Sequence, residues 1–316
     1  MTKYQDSFDM SDSANYGAFE DVAFTTATPF MEDLAAIDHA ALAENLAWLE
    51  DAGARLFIAC GNTGEYYALT AEERVEVVRT HCETVSDESV VVGGAGGSLK
   101  AVQSLASQYE AVGADAVMVM NPTFTYRHRD GLLTYYQSIA DSTTLDVVLY
   151  KRGTELPDTV IAELTTVENV VAVKYAVNDI AAFSSLIRDS PGTVTWVNGI
   201  AERFAPSFHV EGATGFTTGL GNFAPKASLA LQESLRIEDY SRARELRDLL
   251  APVESLRQES GSDPNLRAAN NVPVVKYGLE LAGLTGGPCR PPIVELTDAD
   301  VDRLERYYND IENTLS

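Results

Sequence analysis

The sequence predicts an α/β protein: a closed (β/α)8 TIM barrel followed by a C-terminal helical appendage. Three observations carry this. Short apolar, β-branched runs alternate with helical patterns eight times at nearly regular spacing, over a span close to the ~250 residues such a barrel usually needs. The alternation then stops, and three further helical patterns close the chain. At 316 residues and 45% hydrophobic content, the chain can fill a sizeable core. An open doubly wound sheet is the alternative, but it usually has fewer strands and a Gly-rich first turn. The reading divides the chain into an acidic lead-in (1–21), a barrel (22–236) and a helical region (237–316).

The units follow in order. Residues 22–27 read as a strand and 38–50 as an amphipathic helix. Residues 56–60 are the next apolar run. Thr70-Ala71-Glu72-Glu73 then opens a helix as a capping box. Strands at 90–93 and 116–120 precede helices at 99–111 and 131–141. The strand at 147–150 precedes a helix opened by Pro157, since proline suits a first helical turn. The last three strands, at 170–174, 194–197 and 215–218, precede helices at 179–188, 202–210 and 224–235. The closing helices are expected at 240–257, 265–282 and 298–313.

Composition excludes several functions. The net charge of −24 comes from 47 acidic against 23 basic residues. It argues against nucleic acid and anionic membrane as partners. Acids such as Glu72, Glu73, Glu76, Asp298, Asp300 and Asp302 are scattered over helix surfaces, a pattern that suits a halophilic protein in a high-salt cytoplasm. No apolar run approaches the ~20 residues of a membrane span. Residues 1–21 lack the basic and apolar regions of a secretory signal. Cys60, Cys82 and Cys289 form neither a disulfide framework nor a metal knuckle. The expected compartment is the cytoplasm.

In a barrel, sites are built at the carboxyl ends of strands. The run Asn169-Val170-Val171-Ala172-Val173-Lys174 ends in a lysine. Alternation puts Val170, Ala172 and Lys174 on one face and Val171 and Val173 on the other. Taken alone, the run favours a surface lysine that snorkels to water. The other reading is a desolvated amine fit to attack a carbonyl. The remaining strand ends carry Gly61-Asn62-Thr63-Gly64-Glu65, Asn121-Pro122, Tyr150-Lys151-Arg152, Asn198-Gly199 and Thr218-Gly219. The Gly61 turn offers backbone N–H groups and the Thr63 hydroxyl to a carboxylate or phosphate, though as a lone motif it reads as an ordinary strand-to-helix turn. Tyr150 and Lys174 end consecutive strands, which lie ~4.8 Å apart, so both can reach one bound molecule. Val148, Tyr150 and Arg152 share a face. His39, His81, His128 and His209 are dispersed without metal-ligand spacing, and no nucleotide-binding motif is present.

These residues resemble one family. Gly61-Asn62-Thr63-Gly64-Glu65 with Leu69-Thr70 and Glu73-Arg74 is similar to the signature of the dihydrodipicolinate synthase / N-acetylneuraminate lyase family. Tyr150, Lys174, Gly212-Ala213-Thr214-Gly215 and Asn222-Phe223-Ala224-Pro225 match that family in order and spacing, and the resemblance runs from about Val22 to the C-terminus. It implies a class I lyase of 2-oxo acids, with Lys174 as the Schiff-base lysine, Tyr150 as the proton relay and Thr63 at the substrate carboxylate. It also implies a homotetramer without metal or organic cofactor. The candidate binding residues are Gly61, Asn62, Thr63, Arg152, Gly199 and Thr218.

The departures point to a branch. Asn62 stands where the dihydrodipicolinate synthases have a second threonine, and Thr123-Phe124 where they have paired tyrosines, so their hydroxyl relay is expected to be broken. Tyr150-Lys151-Arg152, Val272-Pro273-Val274-Val275-Lys276 and the run from Gly287 to Pro292 resemble the 5-dehydro-4-deoxyglucarate dehydratase branch. Lys174-Tyr175-Ala176 departs from the Lys-Asp-Gly often seen there. The expected activity is dehydration of a 2-keto-3-deoxy sugar acid. The alternatives are an aldolase releasing pyruvate from the same substrate, a 4-hydroxy-tetrahydrodipicolinate synthase, and a non-catalytic sugar-acid sensor.

Overall fold

Eight parallel strands pair in sequence order and close on themselves, with the eighth beside the first. The computed structural model describes residues 16–121, 123–260 and 269–315. The expected lead-in at 1–15, Pro122 and residues 265–268 of an expected helix lie outside the described residues. The barrel runs β1 (Val22–Thr25), α1 (His39–Asp51), β2 (Leu56–Ala59), α2 (Ala71–Thr84), β3 (Val90–Ala95), α3 (Leu99–Ala111), β4 (Ala116–Val119) and α4 (Arg129–Ala140). It continues through β5 (Asp146–Lys151), α5 (Asp158–Leu164), β6 (Val170–Tyr175), α6 (Ile180–Asp189), β7 (Thr195–Asn198), α7 (Ala205–Val210), β8 (Gly215–Thr218) and α8 (Pro225–Arg236). The chain closes with α9 (Tyr240–Arg257), α10 (Asn271–Leu281) and α11 (Asp298–Leu315).

Local chemistry sets several boundaries. Thr70 and Glu73 make the expected reciprocal capping box on α2. Asp38, Ser98, Asp179 and Asp239 cap α1, α3, α6 and α9 with their side chains. Each accepts from an N–H that the helix itself cannot satisfy. Helix α4 starts two residues before its expected position, because His128 Nδ1 accepts from the Asp130 N–H and closes the first turn. Pro157 is the N-cap of α5 rather than its first helical residue. The pattern expected at 202–210 splits into a 3-10 turn, Glu202–Phe204, and then α7.

The strands are buried on both faces, which is why they read as unbroken apolar runs. Ala23, Leu56, Ile58, Val92, Met118 and Val148 belong to the cluster that fills the barrel. Val22, Phe24, Phe57, Val91, Val117 and Val147 pack outward in the larger core that holds the helices. One strand breaks phase. Val147 pairs with Val170, but Val148 pairs with Ala172, so β6 carries one extra residue. Val170 therefore joins the outer layer, while Val171 and Ala172 join the inner cluster. This corrects the expectation that Val170 shares the face of Lys174, since a bulge shifts the alternation by one. Beyond it the phase recovers, and Lys174 pairs with Tyr150.

Helices α9, α10 and α11 share a core of their own with the β8–α8 connection, through Phe223, Leu250, Val253, Val274, Leu304 and Ile311. The end of α9 and the start of α10 thereby border the mouth of the barrel. No helix among the described residues is long and apolar enough to cross a membrane.

Candidate active site

A cavity of about 600 Å³ opens at the carboxyl ends of the strands. Lys174, on β6, lines it and is only 6% exposed. Its Nζ lies 4.6 Å from the centre of the Tyr150 ring. The neighbouring strand leaves room for the lysine stem, because a Cβ on Gly199 would sit 3.0 Å from Lys174 Cγ and 2.8 Å from Ala176 Cβ. Burial, and then the charges of Arg152 and Arg257, bring the Lys174 amine down to about 7. A large fraction is therefore uncharged at neutral pH and able to attack a carbonyl.

Tyr150 ends β5 and is buried. Its hydroxyl accepts a hydrogen bond from Asn62 Nδ2 at 3.0 Å. Burial raises the phenol's pKa, while Arg152 and the Asn62 hydrogen bond pull it back. Phe124 instead packs edge-on against Tyr135, with ring centres 5.5 Å apart. The partner of the phenol is thus an amide on β2's exit turn, not a hydroxyl after β4. Strand alternation sorts the residues around Tyr150. Arg152 lines the cavity. Lys151 turns outward, where its Nζ meets the Leu156 carbonyl and the Asp158 carboxylate, both at 2.8 Å.

Among the other expected residues, Asn62, Thr63, Gly199 and Thr218 line the cavity, and Gly61 does not. A Cβ on Gly61 would come within 2.4 Å of Thr25 Cγ2, so that glycine serves the packing of the turn while Thr25 itself faces the cavity. Thr218 Oγ1 accepts from the Gly221 N–H at 2.6 Å, and its hydroxyl donates to Glu202. Ser228 Oγ donates to the same carboxyl at 2.7 Å. Burial, and then the nearby Glu254, raise the Glu202 pKa. His128 is exposed on α4's cap, and His81 is buried between the Thr26 hydroxyl and the Val77 carbonyl. Neither lines the cavity. Among the described residues no group of three or more His, Cys, Asp or Glu is placed to hold a metal.

Sequence reasoning missed the far wall. Glu254 and Arg257 from α9 and Asn271 from α10 also line the cavity. Arg257 Nη1 donates to Glu254 Oε1 at 2.6 Å, and Nη2 to Asn271 Oδ1 at 3.2 Å. One local signal was available. Glu254 and Arg257 lie three apart on the helix face that also carries the buried Leu250, Val253 and Leu256. Charges on an apolar face call for a reason.

This cavity joins the Lys174 amine, the Tyr150 phenol and the Asn62–Thr63 turn at the strand ends. A model of the dihydrodipicolinate synthetase family matches residues 18–310. The chain belongs to that family. It is an enzyme, a lyase. A Saccharopolyspora erythraea protein named probable 5-dehydro-4-deoxyglucarate dehydratase is 31% identical over 282 residues, 88% of this chain and 89% of its own. A Rhodococcus opacus protein of the same name is 30% identical over 88% of this chain and 90% of its own. Among solved structures, dihydrodipicolinate synthase from Oceanobacillus iheyensis superposes with a TM-score of 0.89 at 32% identity, covering 94% of this chain and 98% of that one. The family's fold is thus the one described above.

Proposed function

We propose that this protein is a Schiff-base dehydratase of 2-keto-3-deoxy sugar acids. The observation that carries the reading is a buried lysine whose amine is brought down to about 7, beside the Tyr150 phenol in one cavity. The dehydratase names of the relatives support dehydration over the other reactions.

The proposed chemistry uses these residues as follows. Asn62, Thr63 and the turn around them hold the C1 carboxylate. Lys174 Nζ attacks C2, water leaves, and an iminium forms. The iminium acidifies C3–H, because the electron pair left behind is delocalised into the enamine. Tyr150 relays the C3 proton to the C4 hydroxyl, which departs as water. Asn62 steadies the phenol oxygen while its proton is in transit. A second water hydrolyses the conjugated iminium, releasing the unsaturated 2-oxo acid and restoring Lys174. The net change in substrate is the loss of one water. Arg152, one step beyond Tyr150, orients the substrate's hydroxyls. No metal or organic cofactor enters this scheme. We place the enzyme in the cytoplasm as a homotetramer, which light scattering would test.

The test is a direct assay. The enzyme and a 2-keto-3-deoxy sugar acid should give the dehydrated 2-oxo acid. Pyruvate as the product would make it an aldolase. Efficient condensation of pyruvate with aspartate semialdehyde would make it a 4-hydroxy-tetrahydrodipicolinate synthase. No turnover of any of these, with no trapping on Lys174, would leave a binding protein.

A further inference from the structure

Glu202 has no part in the chemistry above, yet it is a carboxyl with 0% exposure. It sits on the 3-10 turn after β7 and does not line the cavity itself. Its Oε1 accepts from Ser228 Oγ of α8 at 2.7 Å, and the Thr218 hydroxyl of β8 donates to the same carboxyl. Its Oε2 is buried and has no hydrogen-bond partner among the described residues. The charge that bears most on it is a second carboxyl, Glu254 of α9, which is buried too. The guanidinium of the cluster is already committed. Arg257 Nη1 donates to Glu254 Oε1 at 2.6 Å, Nη2 to Asn271 Oδ1 and Nε to the Asn271 carbonyl. Arg203, on the same turn as Glu202, is exposed and donates to Ser255 Oγ at 3.3 Å. Two carboxyls thus meet one guanidinium away from water. An ionised Glu202 would leave one oxygen bare and set a second negative charge against Glu254. A proton on Glu202 removes both costs.

We propose that Glu202 is a positioning residue that works as a neutral carboxylic acid, and that its neutrality lets Glu254 stay ionised against Arg257 on the cavity wall. Three cavity-lining groups depend on it. Thr218 bonds it directly, Glu254 adjoins it, and Arg257 is held through Glu254. Arg257 is the link to the chemistry, because its charge helps keep the Lys174 amine low. Ionisation of Glu202 would repel Glu254 and disturb the guanidinium that Glu254 and Asn271 fix. Burial, and then Glu254, raise the Glu202 carboxyl above the ordinary range, in line with this geometry. The inference rests on the Schiff-base reading only where activity is measured.

The experiment compares the wild type with Glu202→Gln by infrared spectroscopy and over a pH series. The amide is uncharged, keeps an acceptor for Ser228 and Thr218, and carries a donor on its other arm. At about pH 6 the wild type should show a buried carboxylic-acid C=O stretch that the variant lacks. Burial raises Glu65 and Asp115 as well, so the band is assigned by its loss in the variant. A raised folded pKa means that the folded chain binds more protons than the unfolded one between the two values, so the wild type loses stability across that window as pH rises. The variant lacks this loss. Its melting temperature should match the wild type's at about pH 4.5, exceed it by a growing margin up to the raised value, and keep that margin above it. KM for the 2-oxo acid should be equal in the two at about pH 6 and severalfold higher in the wild type at about pH 9. Glu202→Met offers nothing to Ser228 and Thr218 and should raise KM at both pH values. A wild-type spectrum without the band overturns the inference. So does a neutral Glu202→Gln that fails to fold, or a KM ratio that does not change with pH. Borohydride trapping of pyruvate on wild-type Lys174 separates the two levels. Its absence would remove the Schiff-base reading and leave the infrared and stability results to decide Glu202.

Discussion

Asn62 Nδ2 donates to the Tyr150 hydroxyl at 3.0 Å, across the mouth of the barrel from β2 to β5. The sequence suggests a broken relay, because Asn62 and Phe124 replace hydroxyl-bearing residues. The geometry agrees with it, since the phenol's partner is an amide and Phe124 packs on Tyr135. The amide N–H donates into a lone pair of the phenol oxygen, so the hydroxyl's own proton is not committed to this bond. Such an arrangement stabilises the phenolate form without supplying a second titrating group. Tyr150→Phe keeps the ring and should lower kcat by ~10²-fold or more, the usual scale for a general acid–base group. Asn62→Ala removes one hydrogen bond worth about 1 kcal/mol and should cost roughly fivefold in kcat. Both variants should keep the wild-type circular dichroism spectrum. Near-normal turnover in Tyr150→Phe would return this tyrosine to a packing role.

The Lys174 amine gives a pH signature. Its pKa is brought down to about 7, first by burial and then by Arg152 and Arg257. Below that value the amine is protonated and cannot attack. The rate of pyruvate trapping by borohydride should therefore rise about tenfold per pH unit up to about 7 and level off above it. Mass spectrometry should place the label on Lys174, and Lys174→Ala should abolish it. Lys151 is the nearest rival in sequence, and its pairing with Asp158 argues against it. The same shift has a stability consequence. A folded-state pKa below the unfolded one means the unfolded chain binds more protons between the two values. The cost of burying Lys174 is thus full below about 7 and fades as pH rises toward the ordinary lysine range. Lys174→Met should raise the melting temperature most at pH 6. Labelling on Lys151 would overturn the assignment.

The barrel was legible because its strands are buried on both faces and so appear as continuous apolar runs between capped helices. Lys174 was legible for a related reason. Its position at a strand end survives the bulge at Val171, since the phase from Ala172 onward is intact. Val170 was misread because a bulge leaves no mark in a run of similar β-branched residues. The Asn62–Tyr150 bond joins residues 88 positions apart, and nothing local announces it. Glu254 and Arg257 were missed because their role depends on how three helices fold back over the barrel mouth, which periodicity does not specify.

The charge of −24 implies a salt response. In 10 mM salt the screening length is about 30 Å, so carboxylates across most of the surface repel one another; at 1 M it is about 3 Å. Self-repulsion of this kind destabilises the compact state. The melting temperature, followed by circular dichroism, should rise steadily from dilute buffer to molar potassium chloride. A melting temperature indifferent to salt would remove the halophilic reading and leave the enzyme assignment in place.

The last prediction concerns how the C-terminal helices hold the turn that carries Asn62 and Thr63. Glu65 ends that turn in a left-handed conformation, with φ of 55°, and is fully buried. Its Oε1 pairs with Lys276 Nζ of α10 at 2.7 Å, and its Oε2 accepts from the Arg290 N–H at 3.0 Å. Lys276 and Arg290 both lie over the Phe30 ring, at 4.4 and 4.2 Å. Removing one partner of such a buried pair strands the other charge, at a cost of about 3–5 kcal/mol. Lys276→Met should therefore unfold at markedly lower denaturant, and Glu65→Gln with Lys276→Met should recover much of the loss. Burial already raises the Glu65 pKa against the pull of Lys276 and Arg290. Without Lys276 it should rise further. A carboxyl whose folded pKa is raised is best tolerated below its unfolded pKa, and its cost grows as pH rises through the folded value. The Lys276→Met deficit should thus be largest at neutral and alkaline pH and shrink toward pH 4.5. The turn should loosen as well, raising KM for the 2-oxo acid more than it lowers kcat. A pH-independent deficit, or a KM equal to wild type in the folded variant, would show that α10 does not position the turn.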